Sequence, residues 1–330
     1  MKYPTKVFMP IWSPFECGMA DRMIAELPDE EDRAVALAAQ YYFQGKYREA
    51  VSESQTYLDS LCPEIRSAAL LLHSMANVGL GNTEETKADL FALQQAMKRP
   101  EDEHMAAIYE ALRFLFSVFF HQDEVPEFVQ KKNMALLSEG TRLYVMYGVS
   151  HTMYLRKNYR EALGAAKAAL MIAADRFPPV CVYLNVAASM AASSLHDMEQ
   201  ADDFFHQAWQ IAEKEDYIQP FVEHHGMLQG QIEKYFRNKN PKRYNEIAEK
   251  VLAFSRGWMK IHNPNSVNKV TDRLSPYEFA LAMMAVKGKS NQEIADYMHI
   301  SINTVKYHVS SIYQKVGVSS RKELEQYLNR

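Results

Sequence analysis

Between residues 274 and 328 the apolar positions fall into four short groups at helical spacing, and a serine opens each group. The openings are Ser275-Pro276-Tyr277-Glu278, Ser290-Asn291-Gln292-Glu293, Ser301-Ile302-Asn303-Thr304 and Ser320-Arg321-Lys322-Glu323. A serine hydroxyl accepts from the orphan N–H groups of a first helical turn, and Glu278, Glu293 and Glu323 stand where a carboxylate reaches back to the N-cap N–H, so three of the four read as capping boxes. Pro276 takes the first helical position, where its missing donor costs nothing. In the third group Ile302, Val305, Val309, Ile312 and Val316 recur at three- and four-residue steps, which at about 100° per residue makes one buried stripe. Asn303, Tyr307, Ser310, Ser311 and Gln314 fall on the opposite face, and Lys306 and Lys315 flank it with Thr304 and His308. Such a helix offers hydrogen-bonding groups to base edges and cations to the phosphates on either rim of a groove. The preceding segment, Gln292 to Met298, has a small Ala295 where two helices cross closely, and Met298-His299-Ile300-Ser301 turns tightly into the third group. Together they predict a helix-turn-helix, with Asn291 at its start counted among the DNA contacts.

The first 260 residues carry a different rhythm. Turn-like marks recur at Gly45-Lys46-Tyr47-Arg48-Glu49-Ala50, Gly81-Asn82-Thr83-Glu84-Glu85, Lys157-Asn158-Tyr159-Arg160-Glu161-Ala162 and His196-Asp197-Met198-Glu199-Gln200-Ala201, at separations of 36, 76 and 39 residues. A step of 76 is two of about 38, a period that signals a helical solenoid and places an unmarked turn near Gln122-Asp123. Another fits near Asn238-Lys239-Asn240-Pro241, for about six hairpins in all. The Gly-x-Tyr-x-Glu-Ala mark at Gly45 and its relative at Lys157 are similar to tetratricopeptide repeats, with Ala162, Ala166 and Ala169, then Ala201, Phe205 and Ala208, allowing close helix approach.

The repeat register turns Tyr109, Phe116 and Phe119, then Tyr144, Tyr147, His151 and Tyr154, then Tyr183 and Met190, toward the concave side of such an array. Tyrosines there offer an apolar body with a polar tip, suited to a ligand or peptide groove, and the same spacing equally suits rings that fill space between neighbouring helices.

The C-terminal residues resemble a known family. Leu274-Ser275-Pro276-Tyr277-Glu278, Lys289-Ser290-Asn291-Gln292-Glu293-Ile294-Ala295, Ile300-Ser301-Ile302-Asn303-Thr304-Val305-Lys306-Tyr307-His308 and Lys315-Val316-Gly317-Val318 are similar, without gaps over about 55 residues, to the C-terminal DNA-binding domain of LuxR-type bacterial regulators. The resemblance implies that the third helix enters the major groove and that the fourth pairs two domains on a near-palindromic site. Leu324, Tyr327 and Leu328 recur on one side of that fourth helix and are expected to form the seam. Tyr277 stands where the family commonly has arginine, and Ala280 and Ala282 make the first helix slighter than usual.

Composition narrows the rest. A 330-residue chain with 48% apolar and 12% aromatic residues suffices for two globular domains. Its net charge of −4 is uneven: from Asp272 onward there are 8 Lys and Arg against 6 Asp and Glu, and the remainder holds 29 against 35, which directs nucleic acid to the C-terminal module. Cys17, Cys62 and Cys181 are scattered and read as reduced thiols, the N-terminal stretch has no apolar run of signal-peptide length, and Phe114 to Phe120 is far too short to span a bilayer; a cytoplasmic protein is expected. Gly79-Leu80-Gly81 lacks a third glycine, adjacent His224 and His225 point about 100° apart on a helix, and neither HExxH nor a P-loop is present. No catalytic constellation, metal site or cofactor is expected.

The sequence therefore predicts an all-α chain: an N-terminal segment (1–30), a tetratricopeptide-like helical-hairpin solenoid for sensing or docking (31–260), a joint (261–271) and a four-helix LuxR-type helix-turn-helix domain (272–330). The function expected is a bacterial regulator that binds double-stranded DNA as a homodimer and takes a small-molecule, peptide or protein effector on its repeats, without membrane association. The alternative is an interaction scaffold whose C-terminal module only dimerises.

Overall fold

A computed structural model describes residues 7–119, 131–262, 273–298 and 300–328, and all regular structure among them is helical. The chain forms two compact units, residues 1–220 and 221–330. In the first unit a short 3-10 turn at Pro10–Trp12 precedes α1 (Ala20–Glu26). Two helical hairpins follow, α2 (Glu30–Phe43) with α3 (Tyr47–Gln55) and α4 (Pro63–Leu80) with α5 (Thr83–Ala96). After α6 (Glu103–Phe119) and the single turn α7 (Lys131–Met134) come two more, α8 (Glu139–Leu155) with α9 (Tyr159–Ala173) and α10 (Pro178–Ser194) with α11 (Met198–Glu215). The expected turn near Gln122-Asp123 lies outside the described residues.

The four marked turns share one backbone geometry. Gly45, Gly81, Lys157 and His196 all sit in the left-handed region, with φ of 70°, 76°, 64° and 63°. The next residue's N–H then donates five residues back in every case, from Lys46 to the Tyr41 carbonyl, Asn82 to Asn77, Asn158 to Met153 and Asp197 to Ala192, at 2.8 to 3.1 Å. These are Schellman closures, which satisfy the last carbonyls of one helix while starting the next. Five residues beyond each left-handed residue stand Ala50, Thr86, Ala162 and Ala201, all buried to 1% exposure or less. A small side chain there lets the two helices of a hairpin lie close, and Ser150 and Ser189 reinforce two of the contacts by donating to the Ala162 and Ala201 carbonyls at 2.8 Å. Within this unit α3 packs on α4 and α9 on α10, and the first helices pair as α2 with α4 and α8 with α10.

The helix α12 (Gln219–Glu223) spans the division between units. The second unit continues with α13 (Gln231–Phe236), α14 (Pro241–His262), α15 (Pro276–Val286), α16 (Asn291–Met298), α17 (Ile302–Val316) and α18 (Arg321–Leu328). A turn does separate α13 from α14 at Asn238-Lys239-Asn240, but α13 is far shorter than a hairpin arm and packs on α16, while α14 packs on α15. Residues 221–262 thus group with the C-terminal helices. Ile261 and His262, expected in a polar joint, end α14, and residues 263–271 of that joint lie outside the described residues. Among the described residues no helix is long and apolar enough to cross a membrane.

The shared turn geometry separates glycine from non-glycine positions. A left-handed residue with a Cβ costs roughly 1–2 kcal/mol, partly offset by the greater chain entropy that glycine loses on folding. Lys157→Gly or His196→Gly should therefore raise stability by about 0.5–1 kcal/mol in chemical denaturation, and Gly81→Ala should lower it by about 1 kcal/mol. A loss of stability in Lys157→Gly or His196→Gly, or no loss in Gly81→Ala, would show that these turns are not constrained alike.

Candidate nucleic-acid interface

The helix-turn-helix is held by its caps and by one apolar stripe. At α15 the Ser275 hydroxyl accepts from the Glu278 N–H (3.3 Å) and the Glu278 carboxylate accepts from the Ser275 N–H (3.0 Å); Ser290 and Glu293 do the same at α16 with 3.2 and 2.7 Å. Ser301 caps α17 by accepting from the Thr304 N–H at 3.0 Å, and its hydroxyl meets that of Thr304 at 2.8 Å. At α18 the box is shifted: Ser320 accepts from Glu323, but the Glu323 carboxylate reaches the N–H of Ser319. Val305, Val309, Ile312 and Val316 of α17 are buried against α15 and α16, and Ile302, at the helix start, is half-buried. Asn303, Lys306, Tyr307, Ser310 and Gln314 are exposed on the other side; Thr304, His308, Ser311 and, on α16, Asn291 are half-buried. Tyr307 is 71% exposed.

Residues 272–328 match the family described as bacterial regulatory proteins, luxR family. The chain carries a C-terminal LuxR-family DNA-binding domain. It is also similar to the response regulator protein VraR of Staphylococcus aureus strains Mu3, COL and MW2, at 36% identity over 88 residues, 24% of this chain and 42% of each relative. The chain thus spans less than half the length of these relatives.

Two residues of the LuxR-family domain make contacts within it that the sequence did not indicate. Lys315, expected at a groove rim, places its ammonium 2.6 and 2.8 Å from the two carboxylate oxygens of Glu278 and so braces α15 against α17. Burial alone would raise the Glu278 carboxyl, but the Lys315 and Ser275 hydrogen bonds outweigh it and hold it below its ordinary value. Leu324, expected in a dimer seam, is 1% exposed because α18 packs it against α15; Tyr327 and Leu328 remain half-buried at the edge. An eight-residue helix does bury its central leucine within the domain when the helix is laid flat on a neighbour.

The domain also has a collar that the sequence reading assigned to the repeats. Lys234 and Arg237, on and just after α13, lie over the rings of Tyr297 (4.4 Å) and Tyr277 (4.0 Å), and the His225 ring stacks on Phe279 at 6.4 Å while its Nε2 meets Glu233 at 2.7 Å. Dividing the chain at this boundary changes the charge account: residues 221–330 hold 17 Lys and Arg against 10 Asp and Glu, and residues 1–220 hold 20 against 31. The available signal was the basic run Lys234, Arg237, Lys239, Lys242 and Arg243, which periodicity alone attached to an acidic body.

In the first unit, the aromatic side chains proposed for a groove are partly brought together. Tyr144, Tyr147 and Tyr183 lie 5.1 to 5.3 Å apart, the Tyr147 hydroxyl meets His151 Nδ1 at 3.2 Å, and His151 faces Tyr154. Tyr109 stands elsewhere, its hydroxyl accepting from Ser67, and Phe116 on α6 is half-buried. The cluster is not an open wall: Tyr147, His151, Tyr154, Tyr183 and Met190 are buried, and Trp12 stacks flat on Tyr144 at 4.3 Å. Phe8, Met9, Ile11 and Trp12 are buried as well, so a short segment of the chain itself covers this face. Gly140 permits the contact, because a Cβ there would collide with the Trp12 carbonyl oxygen. Among the described residues no cluster of His, Cys, Asp or Glu is arranged to hold a metal ion.

Two measurements follow from these contacts. Glu278→Gln should lower stability at neutral pH by about 1–2 kcal/mol through the lost ion-paired hydrogen bonds. A carboxyl held low when folded stabilises above its unfolded value and loses that contribution as pH falls through the folded one, so parent and variant melting curves should converge in acid. Trp12→Ala should cost about 3–5 kcal/mol in chemical denaturation of the first unit, and Gly140→Ala about 1–3 kcal/mol. A Trp12 variant as stable as the parent would remove the N-terminal segment from the core.

Proposed function

We propose that this protein is a sequence-specific transcription regulator that acts as a homodimer on near-palindromic DNA. The observation that carries the reading is the two-sided α17, a buried valine and isoleucine stripe beneath an exposed face of hydrogen-bonding groups inside a LuxR-family domain. In this reading α17 lies in the major groove with Asn303, Tyr307, Ser310 and Gln314 toward base edges, Lys306 at a phosphate rim, and Thr304, His308, Ser311 and Asn291 at the margins. Tyr327 and Leu328 supply the pairing edge. The helical hairpins of the first unit form a tetratricopeptide-like sensor or docking surface for an effector, and the site of action is the cytoplasm. The resident Phe8–Trp12 segment means that an effector using the aromatic cluster has to displace the chain's own residues.

Binding to duplex DNA against salt tests the core of the proposal. If each domain neutralises about three to five phosphates, a dimer should show a log–log slope of roughly −5 to −9. A weak slope, or equal affinity for all sequences, would favour an interaction scaffold instead. Lys306→Ala should weaken binding to every duplex, whereas Tyr307→Ala or Gln314→Ala should change which sequence is selected, each base contact being worth about 1–3 kcal/mol. Leu328→Asp should lower full-site affinity while half-site binding persists, and Leu324→Asp should unfold the domain.

A further inference from the structure

We propose that the DNA-contacting surface extends beyond the LuxR-family domain onto the α13 collar, where Arg237 binds a backbone phosphate of the same duplex that α17 reads. The inference rests on the DNA-reading proposal above. Arg237 is exposed, and its guanidinium carbon lies 4.0 Å from the centre of the Tyr277 ring. That ring in turn meets His308 of α17 in a T-shaped contact at 5.2 Å. A single aromatic ring therefore separates this cation from the flank of the recognition helix.

The chemistry suits a phosphate. A ring face holds a cation through its quadrupole without neutralising it, and a guanidinium stacked on a ring keeps its edge N–H donors directed outward. Among the described residues no carboxylate stands within salt-bridge distance of Arg237; the nearest acidic residue in its helix, Glu233 one turn earlier, is buried and pairs with His225. Beside it on α13, the half-buried Lys234 lies over the ring of Tyr297, on the first helix of the helix-turn-helix, at 4.4 Å. Duplex DNA is the partner favoured over an acidic peptide because the cations are continuous with α17 in the same compact unit, which carries the chain's excess of positive charge. A phosphate contact outside the base-reading face adds affinity without sequence preference.

The test uses the full-length chain and two duplexes, its selected site and an unrelated sequence of equal length, titrated by fluorescence anisotropy from about 50 to 300 mM salt. Arg237→Gln should weaken binding to both duplexes by about 3- to 10-fold and make the salt slope shallower by about one unit per bound domain, with the ratio of the two affinities unchanged. Arg237→Glu should weaken both further, and Arg237→Lys should retain most of the affinity. Melting curves of the three variants guard against loss of fold. Parent-like affinity and slope for Arg237→Gln and Arg237→Glu would overturn the inference while leaving α17 as the reading helix. A lower melting temperature with an unchanged slope would also overturn it, because the arginine would then serve only packing on Tyr277. A parent protein that shows no salt-dependent DNA binding would overturn both this inference and the DNA-reading proposal.

Discussion

An isolated helix leaves four N–H groups and four carbonyls without partners in its own ladder, and a chain built only of helices with short connections must satisfy them locally. The two units meet this constraint in different ways. In the first, a residue with φ near +65° to +75° turns the chain and lets the next N–H close back onto the preceding helix, four times with one geometry. In the second, serine hydroxyls and the glutamates that follow them cap the starts of α15, α16 and α18, and Ser301 caps α17. Both solutions fix how consecutive helices cross, and so where each apolar stripe is delivered.

The caps of the second unit do more than end helices. Glu278 belongs to the Ser275 box and also receives Lys315 from the far end of α17, so the start of α15 and the end of α17 are tied by one carboxylate. The Lys315 and Ser275 hydrogen bonds outweigh the effect of burial and hold its carboxyl below the ordinary value. The exposed face of α17 is thereby held by packing on one side and an ion pair at its end, a rigidity that the proposed base reading would use.

Rings serve two purposes in this chain. In the first unit they pack on one another, with Trp12 stacked on Tyr144 and Tyr144, Tyr147 and Tyr183 in tilted and edge contacts, a cluster that closes the face where a groove was expected. In the second they carry cations: Tyr277 under Arg237 and Tyr297 under Lys234 attach the α13 collar to the LuxR-family domain and place charge beside it. The contrast follows from the neighbours available, since a tyrosine surrounded by tyrosines offers only edges and faces, whereas one at a basic run offers its negative face to an ammonium or guanidinium.

The local features were legible from the chain alone. Helical spacing identified the α17 stripe, serine-to-glutamate spacing identified the caps, and the recurring marks at Gly45, Gly81, Lys157 and His196 located turns that the structure shows to be alike. Each depends on atoms within about five residues, so sequence distance and spatial distance agree. Other features required the folded chain. Lys315 finds Glu278 37 residues away, Leu324 is buried by α15, Trp12 reaches Tyr144 across the first unit, and Arg237 crosses from α13 to Tyr277. A sequence pattern states which face of a helix a residue occupies; only the tertiary structure decides which neighbour covers that face, because the covering group comes from a part of the chain whose approach no local period encodes.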